Sequence, residues 1–85
     1  MESSDMIELS ELAKSFKTGI YRHYKGELYN AMFVAKHSED LQTELVIYQS
    51  LQHGNIWARP LEMFLENVEV DGEQKPRFEW VSIKP

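Results

Sequence analysis

From the first residues the chain alternates between two periods of hydrophobicity. Over residues 5–17, Met6, Leu9, Leu12, Ala13 and Phe16 recur at three- and four-residue steps, which predicts an amphipathic helix. Asp5 followed by Glu8 has the spacing of a capping box, Lys14 and Lys17 suit the C-terminal end of the helix dipole, and Gly19 stops it. After Gly19 the period becomes two. Ile20–Tyr24 predicts a short strand, Lys25-Gly26-Glu27 a turn, and Leu28–His37 a long strand. In that strand Tyr29, Ala31, Phe33 and Ala35 point one way, while Leu28, Met32 and Val34 point the other. With both faces apolar, it is expected at the centre of a sheet.

The remaining pattern is all short strands. Ser38–Thr43 reads as a polar loop, Glu44–Leu51 as a third strand, Gln52–Asn55 as a turn and Ile56–Arg59 as a fourth strand. Pro60–Leu65 suits one helical turn with proline at its first position. Val68 and Val70 lead into Asp71-Gly72, a hairpin signal, with Arg77–Val81 as the returning strand. Five or six short strands with one helical turn predict a mainly β protein, a small SH3-like β-barrel carrying an N-terminal α-helix. The expected division is a helical extension over residues 1–18 and a barrel domain over 19–85.

Composition narrows the class. At 85 residues the chain is one domain with a thin core, stabilised by ten aromatic residues. It has no cysteine, which removes disulfides, thiolate chemistry and cysteine-ligated zinc. The N-terminal residues are polar and acidic, unlike a signal peptide, and no run is long enough to span a membrane; a cytoplasmic protein is expected. Fourteen acidic against nine basic residues give a formal charge of −5 and weigh against general nucleic-acid binding. The acidic run Glu62, Glu66, Glu69, Asp71 and Glu73 reads as a solvated face. No phosphate-binding glycine loop or calcium loop is present, so no cofactor is expected.

The residues Gly19-Ile20-Tyr21-Arg22-His23-Tyr24-Lys25-Gly26, then Tyr29, then Val34-Ala35-Lys36-His37-Ser38-Glu39, form an ordered signature. Glu44–Tyr48, Trp57–Phe64, Val68–Gly72 and Pro76-Arg77-Phe78 continue it. Together they resemble the small bacterial proteins grouped as domain of unknown function family 1653, over about residues 19–80. The resemblance implies a compact, mostly β bacterial domain and carries no assigned activity.

Candidate chemistry concentrates in the first strand and its surroundings. Alternation places Tyr21 and His23 on one face and Arg22 and Tyr24 on the other. Arg22 offers a planar fork of donors for a carboxylate or phosphate, and Lys25 a point charge. Trp57 and Arg59 share a strand face, where a guanidinium can stack on an indole. The expected surface is Arg22, His23, Tyr24, Lys25, His37, Glu39, Tyr48, Trp57 and Arg59. On it, Arg22 and Arg59 hold charge while Tyr24 and Trp57 supply flat contact area. This describes a non-catalytic binding module for an anionic or aromatic group on a peptide, a protein or a small molecule.

Three other readings stay open. The same aromatics can serve as stacking platforms for nucleic acid. His23, His37 and Glu39 have the composition of a two-histidine, one-carboxylate metal set and hence of a metal-dependent enzyme. The N-terminal helix can act in assembly. Against all of these stands a plain structural alternative, in which Tyr21 and Tyr24 fill the core and Arg22 pairs with Glu39 or Glu44.

Overall fold

The computed structural model describes residues 8–84. It is mainly β, with two antiparallel sheets and two single-turn helices. The strands are β1 (Gly19–His23), β2 (Leu28–His37), β3 (Asp40–Ser50), β4 (Ile56–Pro60), β5 (Asn67–Val70), β6 (Glu73–Pro76) and β7 (Phe78–Ser82); α1 is Glu11–Lys14 and α2 is Leu61–Phe64. Five strands form one sheet in the order β4-β3-β2-β1-β7, and β5 pairs with β6 alone. The doubly apolar β2 is the central strand, as its pattern requires. Among the described residues β4 and β7 are edges that do not pair with each other, so the sheet is not hydrogen-bonded into a closed barrel.

Four local readings are corrected. The expected helix over 5–17 is only Glu11–Lys14 within the described residues; Asp5 and Met6 lie outside them. Ser10 caps it instead, its hydroxyl accepting from the Ala13 N–H at 3.1 Å. Glu44 accepts from both the Ser10 N–H (2.7 Å) and its hydroxyl (2.6 Å), which ties the start of the turn to β3. Lys17 has left the helix and places its ammonium 3.5 Å from the Trp80 ring centroid.

In β2 the register slips between Ala31 and Phe33, so strict alternation fails there. Phe33 pairs with Ile47 and is exposed, while Val34 pairs with the fully buried Val46 and packs on the core. The polar stretch after Ser38 is not a loop: β3 begins at Asp40, directly after the turn. Finally, Asp71-Gly72 does turn a hairpin, with both residues at positive φ. Its returning strand is β6, however, and the chain then leaves to pair β7 with β1.

One face of the large sheet carries the core. Tyr21, Ala31, Val46, Tyr48 and Phe78 lie beneath α2, whose Leu61 and Phe64 are buried, and α1 adds Ala13. The Phe16 ring stacks on Tyr21 with centroids 5.7 Å apart. The Tyr21 hydroxyl donates to the Lys17 carbonyl at 2.6 Å, and burial pushes its pKa up to about 12.

Candidate functional site

Phe78 organises the most chemically varied part of the covered face. It lies opposite His23 across the β1–β7 pair, and antiparallel partners share a face. Phe64 stacks on it at 4.1 Å, while His23 (5.0 Å), Tyr48 (5.4 Å) and Tyr29 (5.6 Å) meet it edge to face. The Arg59 guanidinium lies 5.9 Å from the same ring. Arg59 comes from β4, where it faces Val46; its Nε donates to the Tyr48 hydroxyl at 3.1 Å. Among the described residues neither terminal amine of Arg59 meets a carboxylate or another acceptor.

His23 is held in one tautomer. Its Nδ1 accepts from the Lys25 N–H at 3.1 Å, so the neutral ring carries its proton on Nε2. Burial lowers its pKa, and the nearby charges of Lys25, Arg59 and Arg77 lower it further, against an opposing pull from Glu27. This corner is therefore locally positive in a chain of net charge −5. Arg77 is itself compensated, its Nη2 donating to Glu66 at 3.0 Å; its Nε is buried without a partner among the described residues.

Glu27 borders the rings. Its carboxylate accepts from the Tyr29 hydroxyl at 3.0 Å and from the buried Ser50 hydroxyl at 2.9 Å, with His53 Nε2 at 3.9 Å. The two hydroxyl bonds, first Ser50 and then Tyr29, hold Glu27 below the ordinary carboxylate pKa. They fasten the β1–β2 turn to the end of β3.

The nine residues singled out from the sequence fall into three places. His23, Tyr48 and Arg59 meet around Phe78, and Trp57, opposite Tyr48 on β4, extends the same face into solvent. Arg22 and Tyr24, with His23, line a groove of about 360 Å³ against Lys75 and Pro76 of the small hairpin. Lys25 lies in the adjoining turn, its ammonium 5.8 Å from the Tyr24 ring. Arg22 faces Glu79 across β1–β7 and is exposed; neither Glu39 nor Glu44 pairs with it.

His37 and Glu39 stand apart from the others. They occupy the β2–β3 turn, where the Glu39 N–H donates to His37 Nδ1 at 3.1 Å. β2 is ten residues long, so roughly 30 Å separates that turn from the end near His23. His23, His37 and Glu39 thus do not converge, and no cluster of three metal-ligating side chains occurs among the described residues. A larger hollow of about 420 Å³ lies between α1, β3 and α2, but Glu44 on its wall is already committed to Ser10.

Sequence reasoning did not select Glu27, Tyr29, Ser50, Arg77 or Phe78 for this corner. Tyr29 and Phe78 were visible as strand aromatics, but only the β1–β7 pairing puts Phe78 opposite His23. Ser50 and Glu27 carried no signal, because a lone serine and a turn glutamate are ordinary surface residues.

Comparison with known proteins places this geometry in a family. The model of DUF1653, a protein family of unknown function, matches residues 19–80, and the chain belongs to that family. It is similar to the crystal structure of a DUF1653 protein from Bordetella bronchiseptica, with 32% identity and a TM-score of 0.74, over 81% of this chain and 91% of that one. No significant match is found among curated proteins. Among the described residues no helix is long and apolar enough to cross a membrane.

Proposed function

We propose that this protein is a non-catalytic binding module whose site is the ring cluster around Phe78, with Arg59 and His23 receiving an anionic or aromatic group. The observation that carries this reading is the state of Arg59. Its guanidinium is half-buried against Phe78 and oriented by Tyr48, yet it has no acceptor for its terminal amines among the described residues. A charge drawn out of water is ordinarily paired. In this reading a bound ligand supplies the counter-charge that the described residues do not.

Trp57 and Tyr29 border the same place and offer flat contact area to a ligand body. Arg22, Tyr24 and Lys75 line the adjoining groove, with Lys25 in the turn beside it, and offer cationic surface for a longer ligand. The fold reading that accompanies this is a partly open SH3-like barrel over residues 19–85, preceded by an extension. The order β7-β1-β2-β3-β4, with a helical turn directly after β4, supports it.

The test is a titration of the 15N-labelled full chain with a panel of small anions and aromatic compounds. Saturable shifts centred on His23, Tyr48, Trp57 and Arg59, lost in Arg59→Gln, are expected. If no compound shifts these positions, the reading is wrong.

A further inference from the structure

The chemistry of the ligand can be narrowed from the commitments of the side chains around Phe78. Of the five N–H bonds of the Arg59 guanidinium, the one on Nε is spent on the Tyr48 hydroxyl. The side-on approach, which pairs Nε with one terminal amine, is thereby blocked. The end-on fork of the two terminal amines remains. Such a fork presents two donors to the two oxygens of a planar carboxylate.

The charges around the fork point to a single negative charge on the ligand. Arg77 is neutralised by Glu66. Both oxygens of Glu27 are occupied by the hydroxyls of Tyr29 and Ser50. Lys25 is exposed in its turn, beside Tyr24. His23 offers a neutral N–H donor, since its Nδ1 is held by Lys25 N–H. Lys25 stays in solvent at the edge of the site, so at the fork itself one guanidinium and one neutral donor meet a single negative charge. A dianion would bring an unmatched charge close to Glu27.

The walls say what the charge is attached to. Tyr48 and Phe78 are themselves buried in the core, so the flat surface open beside the Arg59 fork is that of Trp57, 53% exposed on the same side of β4, with the half-buried Tyr29 beyond it. An aromatic body beside the anion buries its surface against them.

We infer that the site takes a monocarboxylate attached to an aromatic ring, held by the end-on fork of Arg59 and the Nε2–H of His23. This rests on the binding-module reading above. Two sources share that chemistry: a free aromatic acid, and the C-terminal carboxylate of a peptide ending in an aromatic residue.

The experiment titrates the full chain at pH 7.5 with benzoate, benzamide and phenyl phosphate. It adds a glycyl-glycyl-phenylalanine peptide with a free or an amidated C-terminus. Affinity is read by calorimetry, and location by the amide, Arg59 Nε–H and Trp57 indole signals. The carboxylates are expected to bind at least ~10-fold more tightly than their amides, as loss of a charge-assisted bidentate pair demands. Phenyl phosphate is expected to bind more weakly than benzoate. Arg59→Lys, which keeps the charge but not the fork, should weaken benzoate by roughly 10-fold. Trp57→Ala, at an exposed position, should weaken it by a few-fold with the fold intact.

Tighter binding of the free-acid peptide than of benzoate identifies a chain terminus as the source, and the reverse identifies a small acid. Equal binding of acid and amide, or binding of phenyl phosphate as tightly as benzoate, overturns the carboxylate assignment and leaves the module reading standing. Failure of every compound to bind overturns both.

Discussion

Arg59 Nε donates to the Tyr48 hydroxyl across the β3–β4 pair at 3.1 Å, two register positions removed from direct opposition, since Arg59 faces Val46 and Tyr48 faces Trp57. This diagonal bond sets the direction of the guanidinium. The Tyr48 ring is buried, whereas the guanidinium is half-buried. Tyr48→Phe keeps the ring contacts and removes only the acceptor. Water can re-solvate Nε, so the expected loss is about 1.5 kcal/mol of unfolding free energy, the low end for a hydrogen bond to a charged group. Urea denaturation should show a lower midpoint with an unchanged slope. A loss above ~3 kcal/mol would mean that the ring itself has moved.

Gly19 begins β1 where β7 approaches most closely. Its φ is +127°, a region that side chains rarely adopt. A Cβ built there would lie 2.5 Å from the Ser82 carbonyl oxygen and 3.0 Å from the Ile83 Cα, both backbone atoms. Gly19→Ala is therefore expected to destabilise the fold by roughly 2–3 kcal/mol, through backbone strain and displacement of β7. Thermal unfolding measures the loss, and fast amide exchange along β7 should accompany it. The turn glycine Gly26 has open space around the corresponding position, though its own φ is also positive. Gly26→Ala isolates the conformational cost from the clash and should be the milder change.

Acid should weaken the protein in two stages. The folded state lowers the His23 pKa from its ordinary 6.5, mainly by burial. Between that value and the lower folded one, the unfolded chain binds more protons than the folded chain. Stability present above pH 6.5 is therefore lost as the pH falls through this window. Glu27 is also lowered, from 4.5, by the Ser50 and Tyr29 hydroxyls. Its contribution is present above 4.5 and is lost as the pH drops through the folded value, together with those of Asp40 and Glu44. Urea midpoints measured from pH 8 to 3 should show both stages. His23→Gln is expected to flatten the upper one and Glu27→Gln to shrink the lower. An upper stage unchanged in His23→Gln would assign it elsewhere.

The sequence revealed most where a pattern was long or a turn chemically specific. The doubly apolar Leu28–His37 marked the central strand, and Asp71-Gly72 marked a hairpin. It misled where one residue breaks a period. The slip at Met32 reverses Phe33 and Val34, and nothing in a run of apolar residues marks which one is extra. The partner of the Val68–Val70 strand was misread because Glu73–Pro76 is wholly polar and exposed, so it carries no periodic signal. In the candidate site, His23, Tyr48 and Arg59 were legible as rare residue types on strands. Their meeting point, Phe78, depends on β7 pairing with β1, a contact between chain ends that local patterning does not encode.

Among the described residues, 10–17 ahead of β1 pack against the sheet and α2. Phe16 packs its ring on Tyr21 and meets Phe64 edge to face at 5.6 Å. Ser10 is bonded to Glu44, and Lys17 lies over Trp80, so three separate strands hold the segment down. α1 is a single turn, too short to be stable alone in water, and these contacts must keep it ordered. Phe16→Ala removes the largest apolar contact. Because Phe16 is only half-buried, the cost should fall below the 3–5 kcal/mol of a fully buried ring, at about 2 kcal/mol. Chemical denaturation measures this loss, and amide exchange should report loosening from Ser10 through Tyr21. A Phe16→Ala protein as stable as the parent would show that the segment does not hold the core, and would restore the view of it as an independent extension.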